Sequence, residues 1–451
     1  MKKLAPSFPF AAVALAAMVA CGSAAAQTDP ELAEQVRRLR EELRQVRQEL
    51  DALKARPAAA PAVAGPPATS VPAPATAAAP APAAAPAAQP AAAYPATAST
   101  GTGLNFFGYG ELSYSRPRNN ASASTATVGR AVLGWGYRFN ETTRMAAEFE
   151  VENAVVSSED RGEAEIEQMY VEHDFNPSVS AKAGLFLIPI GLLNESHEPT
   201  RYFGVFRNQV ETAIIPTTWR ELGVGVQGHT DNGLRWNTGL VTGFDLTKWD
   251  PASSEGRESP LGTIHQEGQL AFARSLATYG ALNYSGIPGF NVGGTVYYGG
   301  VGQHQPDFAA PDATLTLAEA HARWQPGRWD LAALVAQGRF HGVDALNATF
   351  AGQPTPVPDR FGGWYVQAAY KLWNNQEQSL WPYARYERLN TAKSYSGLPQ
   401  GLAPDIQRDT RTLTVGASYY LHPQVVFKAD YQRFSNDSSL DRFNLGVGFE
   451  F

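Results

Sequence analysis

The chain has 451 residues, a formal net charge of −7, one cysteine, and 41 glycines beside 22 Phe, 18 Tyr and 9 Trp. The acidic balance argues against nucleic-acid binding as the main role. The lone Cys21 excludes disulfides, thiolate catalysis and Cys-based metal sites from everything after the N-terminal segment. No run of about 18 apolar residues follows that segment, which excludes spanning helices. Abundant glycine and aromatics with only 18% charged residues suit a sheet set between lipid and water.

Residues 1–26 read as an export signal: Met1-Lys2-Lys3 is a positive start, Phe10 to Ala20 an apolar stretch, and Ala24-Ala25-Ala26 a small-residue cleavage site. Met18-Val19-Ala20-Cys21 offers the rival reading of a lipidated cysteine. In 27–56, Leu32, Val36, Leu39, Leu43, Val46, Leu50 and Leu53 recur at alternating spacings of four and three, the seam of a short periplasmic coiled coil. Its core positions carry no Asn to dictate a dimer, so a homotrimer is allowed. Residues 57–103 are an uncharged Ala/Pro-rich linker, extended because such a composition buries too little to offset its entropy. It is expected to be a passive spacer, with proximity to peptidoglycan as the alternative role.

From 104 to 451 the pattern is all-β. Period-two segments are expected near 104–115, 126–139, 144–155, 164–175, 179–187, 220–230, 234–243, 267–275, 291–300, 314–325, 329–340, 361–373, 380–389, 410–421, 424–434 and 441–451. These predict a 16-stranded antiparallel transmembrane β-barrel. Tight turns at Asn140-Glu141-Thr142, Asn176-Pro177-Ser178, Asp231-Asn232-Gly233, Pro326-Gly327-Arg328, Asn374-Asn375 and His422-Pro423 alternate with long connections. In 126–139, Leu133, Trp135, Tyr137 and Phe139 alternate with Arg130, Gly134, Gly136 and Arg138. The last strand sets Phe443, Leu445, Val447, Phe449 and the terminal Phe451 on one face, against Arg442, Asn444 and Glu450 on the other. A closing strand with boundary aromatics places the barrel in a Gram-negative outer membrane, its partner the lipid bilayer and its N-terminal segment in the periplasm.

The connection 188–219 is rich in Pro, aromatics and paired charges, and is expected to fold inward and narrow the lumen. Its candidate rim is Glu195, His197, Glu198, Arg201 and Arg207. The stretch Ala183-Gly184-Leu185-Phe186-Leu187-Ile188-Pro189-Ile190-Gly191 resembles the phosphate-selective porin O/P-like superfamily. So do Thr212 through Gly225 and the opening Phe107-Gly108-Tyr109-Gly110-Glu111. That resemblance implies a trimeric sixteen-stranded porin, a water-filled channel for passive diffusion of small hydrophilic solutes or ions, with no cofactor.

Parity assigns further lumen charges. Glu148, Glu150, Glu152 and Glu172 lie early in the barrel with Arg130, Arg138 and Lys182; Arg323, Arg339, Lys371 and Arg385 lie late. Acids facing bases across a narrow gap would set up a transverse field. Two other readings stay open: an envelope tether resting on the coiled coil, and a barrel hydrolase using His197, Ser196 and the scattered His229, His321 and His341. No Gly-x-Ser-x-Gly or His-Glu-x-x-His spacing occurs, so no enzyme, catalytic residue or metal site is expected.

Overall fold

The computed structural model describes residues 103–157, 162–404 and 409–451. The signal, Cys21, the 27–56 heptads and nearly all of the linker lie outside the described residues. Strand segments follow in chain order: β1 (Gly103–Pro117), β2 (Thr125–Arg138), β3 (Thr143–Glu152), β4 (Ala164–Asn176), β5 (Val179–Leu187) and β6 (Arg220–His229). Next come β7 (Leu234–Val241), β8 (Ala277–Ile287), β9 (Phe290–Gly300), β10 (Thr314–Trp324), β11 (Trp329–His341) and β12 (Arg360–Tyr370). The last are β13 (Trp373–Asn375), β14 (Gln378–Ser394), β15 (Thr410–His422), β16 (Val425–Phe434) and β17 (Arg442–Glu450).

The short β13 prolongs β12 beyond a break at Lys371 and Leu372, and both pair with β14, so the segments make a closed sixteen-strand antiparallel barrel. Closure runs through β17, which pairs with β1 from Tyr109 opposite Glu450 to Pro117 opposite Arg442. The Phe451 N–H donates to the Gly108 carbonyl at 2.9 Å, so pairing reaches the final residue. No edge is left unpaired, the condition that lipid imposes on strands.

Alternation sorts the two faces. Leu104, Phe106, Leu133, Leu413, Val415, Phe443 and Leu445 are exposed outward, while Tyr109, Arg130, Thr412, Thr414 and Asn444, of opposite parity, are buried. Asn140 Oδ1 accepts the N–H groups of Thr142 and Thr143, the side-chain turn that its position in the sequence predicted.

One strand departs from expectation. Residues 267–275 form no strand; the eighth strand is β8, and the short turn into β9 is Pro288-Gly289, with Gly289 at φ +74°. Pro followed by a left-handed Gly is a turn signal in its own right. The alternation of Ala277, Tyr279 and Ala281, all buried inward, marks the true stave. The connection 242–276 is instead a long loop whose Phe244, Leu246, Trp249, Leu261 and Ile264 are buried.

Those side chains join Ile188, Ile190, Ile214, Ile215 and Trp219 of the 188–219 connection in one apolar core. The core lies against Tyr297, Leu315, Leu317, Leu334 and Phe361 on the inner wall of β9 to β12. One side of the barrel interior is thereby filled with apolar packing. The arc from β14 through β17 to β4 keeps a polar inner wall.

Candidate functional site

The 188–219 connection is closed at its base by backbone. The Ile188 N–H donates to the Trp219 carbonyl at 3.0 Å, and Asn194 ties the same two residues together. Its Nδ2 donates to the carbonyls of Ile188 (2.7 Å) and Trp219 (2.9 Å), and its Oδ1 accepts the Trp219 N–H at 2.7 Å. Trp219 packs edge-on against Tyr297, with centroids 4.7 Å apart.

Glu211 organises the interior of the loop. One carboxylate oxygen accepts the N–H groups of Leu192 and Leu193 at 2.6 and 2.8 Å; the other accepts Asn208 Nδ2 at 2.7 Å and the Tyr365 hydroxyl of β12 at 2.9 Å. Four donors on one buried carboxylate supply the compensation that such a group requires. Gly191 sits beside that carboxylate at φ +72°, where a side chain would meet both strain and the carboxylate itself.

Two walls then hold the middle of the loop. On the first, Arg130 of β2 donates to Glu111 of β1 at 2.7 Å and to the His197 carbonyl at 3.0 Å. Tyr202 donates to the other Glu111 oxygen at 2.7 Å. His197 is 1% exposed, its Nε2 2.6 Å from Glu167 and 2.7 Å from the Tyr109 hydroxyl, while its Nδ1 donates to the Asn194 carbonyl. On the second wall, the Arg385 guanidinium donates to the carbonyls of Phe203, Phe206 and Arg207, and to Glu387 at 3.0 Å. Glu387 accepts the Gln209 N–H, Asp430 accepts the Val205 N–H at 2.7 Å, and the Tyr420 hydroxyl donates to the Thr200 carbonyl at 3.0 Å. A loop whose backbone bonds to charged side chains on both walls lies inside the barrel.

Between this loop and the wall of β1, β2, β16 and β17 is an open cavity of about 430 Å³. Its charged lining is Arg130, Arg207, Lys428 and Arg442 with Glu111 and Glu152. The Lys428 ammonium lies 3.7 Å from the centroid of the Tyr202 ring and has no hydrogen-bond partner among the described residues. Arg207 is held in place by Thr217 and by Thr218 at 3.1 Å.

No known family profile matches the chain. An uncharacterised protein of Aquifex aeolicus is 31% identical over 340 residues, which cover 73% of this chain and 76% of that protein. The chain belongs to the same family as that protein. Among solved structures, Salmonella typhi OmpF in complex with daunomycin matches with a TM-score of 0.54 at 13% identity, over 78% of this chain and 98% of the other. An anion-selective porin from Comamonas acidovorans gives 0.49 at 10% identity, over 78% and 100% of the two chains. The OmpF match shows the fold, a porin-like barrel.

The expected site residues divide into three groups. Arg207 lines the cavity; Glu195 lies 3.9 Å from Lys182; Glu198 lies 3.9 Å from Arg201, whose guanidinium is 3.1 Å from Glu450. His197 is enclosed as an anchor of the loop. Arg130, Arg138, Glu148, Glu150, Glu152, Glu172, Lys182, Arg323, Lys371 and Arg385 share the parity of the inner face. Most pair locally: Glu172 with Arg144 at 2.7 Å, Arg323 with Asp330 at 2.7 Å, Arg385 with Glu387, and Glu148 with Gln168 at 2.9 Å. The ion pairs Glu172–Arg144 and Arg323–Asp330 join adjacent strands and Arg385–Glu387 lies within β14, so these charges are matched locally.

Arg339 is a correction. In β11 the buried inward residues are Asp330 near its start and then Ala332, Leu334, Ala336 and Phe340, so Arg339 stands exposed on the outer face, on the parity of Val335. From Ala332 onward the inner face of β11 is apolar because the two long loops pack on it, which reverses the usual rule of polar residues toward the lumen. The anchors Glu167, Glu211, Glu387, Lys428 and Asp430 were not singled out from sequence, and Tyr109 and Glu111 entered only as part of the opening motif. Glu387 shares parity with Arg385, and Lys428 and Asp430 share parity with Gln432 in a strand whose other face carries Phe427 and Tyr431; extending the parity rule would have found all three.

Proposed function

We propose that this protein is an outer-membrane channel for passive diffusion of small hydrophilic solutes or ions, with the 188–219 loop as its constriction. In this reading the short turns and the N-terminal segment are periplasmic, the long loops are extracellular, and the 27–56 heptads hold a homotrimer. The resemblance to phosphate-selective porins belongs to the same reading.

The observation that carries it is the loop fixed to both walls beside an open cavity with charged lining. A sixteen-stranded barrel without such a loop would be wide, and the loop brings charge within reach of a passing ion. Four cations against two carboxylates around that cavity favour anions at this point.

Single-channel recording in a planar bilayer with a salt gradient tests the proposal. Discrete conductance steps and a reversal potential on the anion side are expected. Removing residues 195–208 should raise conductance and flatten selectivity. A purified, folded trimer that stays electrically silent would overturn the channel reading.

A further inference from the structure

At the long-loop end, the outer face of five neighbouring strands carries a group of cations that the channel reading does not use. Arg339 of β11 stands opposite Arg360 of β12, and Arg388 of β14 stands opposite Arg411 of β15. Arg433 of β16 pairs opposite the outward Leu413, and Lys393 is exposed where β14 shifts register. On this face the counter-charge among the described residues is Asp409, which holds Arg388. At the short-turn end the outer face of the same strands offers Trp329, Trp373, Leu421 and Phe427.

The cations sit at a defined depth. Arg388 is opposite Trp364, which is in turn opposite Val335, so the basic group begins where the outward apolar surface ends. The rows of Arg339, Arg360 and Lys393 rise beyond it by about 3.3 Å per residue. A cleft of about 400 Å³ opens here, bordered by Val335, Gln337, Trp364, Arg388, Lys393 and Asp409. Gly362 forms part of its floor, and a Cβ there would come within 3.3 Å of Lys393 Nζ. The cleft thus has an apolar wall below, with Lys393 and the Arg388–Asp409 pair above.

We infer that this part of the outer face binds the phosphorylated headgroup of an outer-leaflet glycolipid, with acyl chains against Val335 and Trp364, one phosphate on Lys393 in the cleft and the others on Arg339, Arg360 and Arg411, which flank the cleft without lining it. Guanidinium groups suit phosphate oxygens because they offer paired donors in a fixed plane. The apolar border favours a lipid over free phosphate, since a small anion gains nothing from Val335 or Trp364. The inference rests on the outer-membrane reading and goes beyond the channel, because the cleft lies on the opposite face of the wall from the lumen.

The test is binding of bisphosphorylated lipid A to the purified full-length protein in mixed detergent micelles, read by native mass spectrometry. Dephosphorylated lipid A is the second ligand and inorganic phosphate the competitor. The combined variant Arg339→Gln, Arg360→Gln, Lys393→Gln, Arg411→Gln leaves the Arg388–Asp409 pair intact and should bind about a hundredfold more weakly or worse. A variant with Lys at Arg339, Arg360 and Arg411 should keep most of the binding, which guards against a folding defect. Equal retention of dephosphorylated lipid, unchanged binding by the Gln variant, or displacement by millimolar inorganic phosphate would each overturn the inference. Conductance of the parent protein in zwitterionic bilayers, together with membrane fractionation, reads the channel proposal separately: a parent protein that binds the lipid yet stays electrically silent would strike the function and not the cleft.

Discussion

Arg385 shows how much of the interior depends on single side chains. Its side chain is 2% exposed, pairs with a Glu387 that is 0% exposed, and donates to three loop carbonyls. Replacing it by Met would leave the Glu387 carboxylate buried without its cation, which costs about 3–5 kcal/mol in comparable buried pairs. The expected outcome is a clear drop in the melting temperature and noisy, enlarged conductance; an unchanged melting curve would show that the pair does not hold the loop. Arg207 differs, since it points into the cavity and its side-chain partners are hydroxyls. Arg207→Glu should therefore move the reversal potential toward cations with little loss of stability, measured in the same salt gradient as the parent. Parity made Arg385 legible in the sequence, loop composition made Arg207 so, and parity failed at Arg339 for a physical reason. There the inner face is apolar because loops cover it, so hydrophobicity alone no longer distinguishes the lipid side from the lumen.

At the scale of elements, staves were readable and loops were not. Strands such as β2, β15 and β17 repeat one rule every two residues, whereas the shape of 188–219 depends on non-local partners such as Tyr365 and Asp430, which no local pattern reports. The same limit explains the misplaced eighth strand, where the alternating run 267–275 belongs to a long loop. Glu211→Ala tests the loop as an element. It would strand four donors in a dry interior, each costing on the order of 1–3 kcal/mol, and should raise conductance while leaving the barrel's far-UV spectrum unchanged. The segment around Glu267 tests the second long loop. Its carboxylate lies 3.0 Å from Arg220 and 2.8 Å from His265, and Arg220 also pairs with Glu165 of β4. Burial pulls the Glu267 carboxyl upward, but the His265 hydrogen bond and the Arg220 charge outweigh it and hold the group below its ordinary value. A depressed carboxyl contributes fully above its unfolded-state value and loses that contribution as pH falls through the folded one. Proteolysis near Leu270, which is 98% exposed, should therefore accelerate on acidification below the ordinary carboxylate range. In Glu267→Gln the rate should vary far less over the same pH range, and equal acid sensitivity in both proteins would refute the linkage.

For the whole molecule, closure is the decisive property, and it rests on the last ten residues. Strand β17 is bonded to β16 on one side and to β1 on the other, so it is the stave through which the two ends of the sheet meet. Its outward Phe443, Leu445, Phe449 and Phe451 meet the apolar surroundings, and its inward Asn444 donates to Asp430 at 2.7 Å, beside the carboxylate oxygen that anchors the loop at Val205. The closing strand thus supports the loop as well as the wall. Removing residues 442–451 would uncover the backbone of β1 and β16 together, and unpaired backbone groups in hydrocarbon cost several kcal/mol each. Such a chain has no closed alternative, because fifteen staves cannot restore the pairing of β16 to β1 without shifting every inward residue that grips the loop. The truncated protein should fail to show the heat-modifiable mobility of a folded barrel on electrophoresis and should be degraded during export. Removing Phe451 alone should slow assembly and spare the final fold, since Glu450 and the residues before it keep both ladders. A truncated chain that still migrated as a compact, heat-modifiable species would mean that the barrel closes without β17.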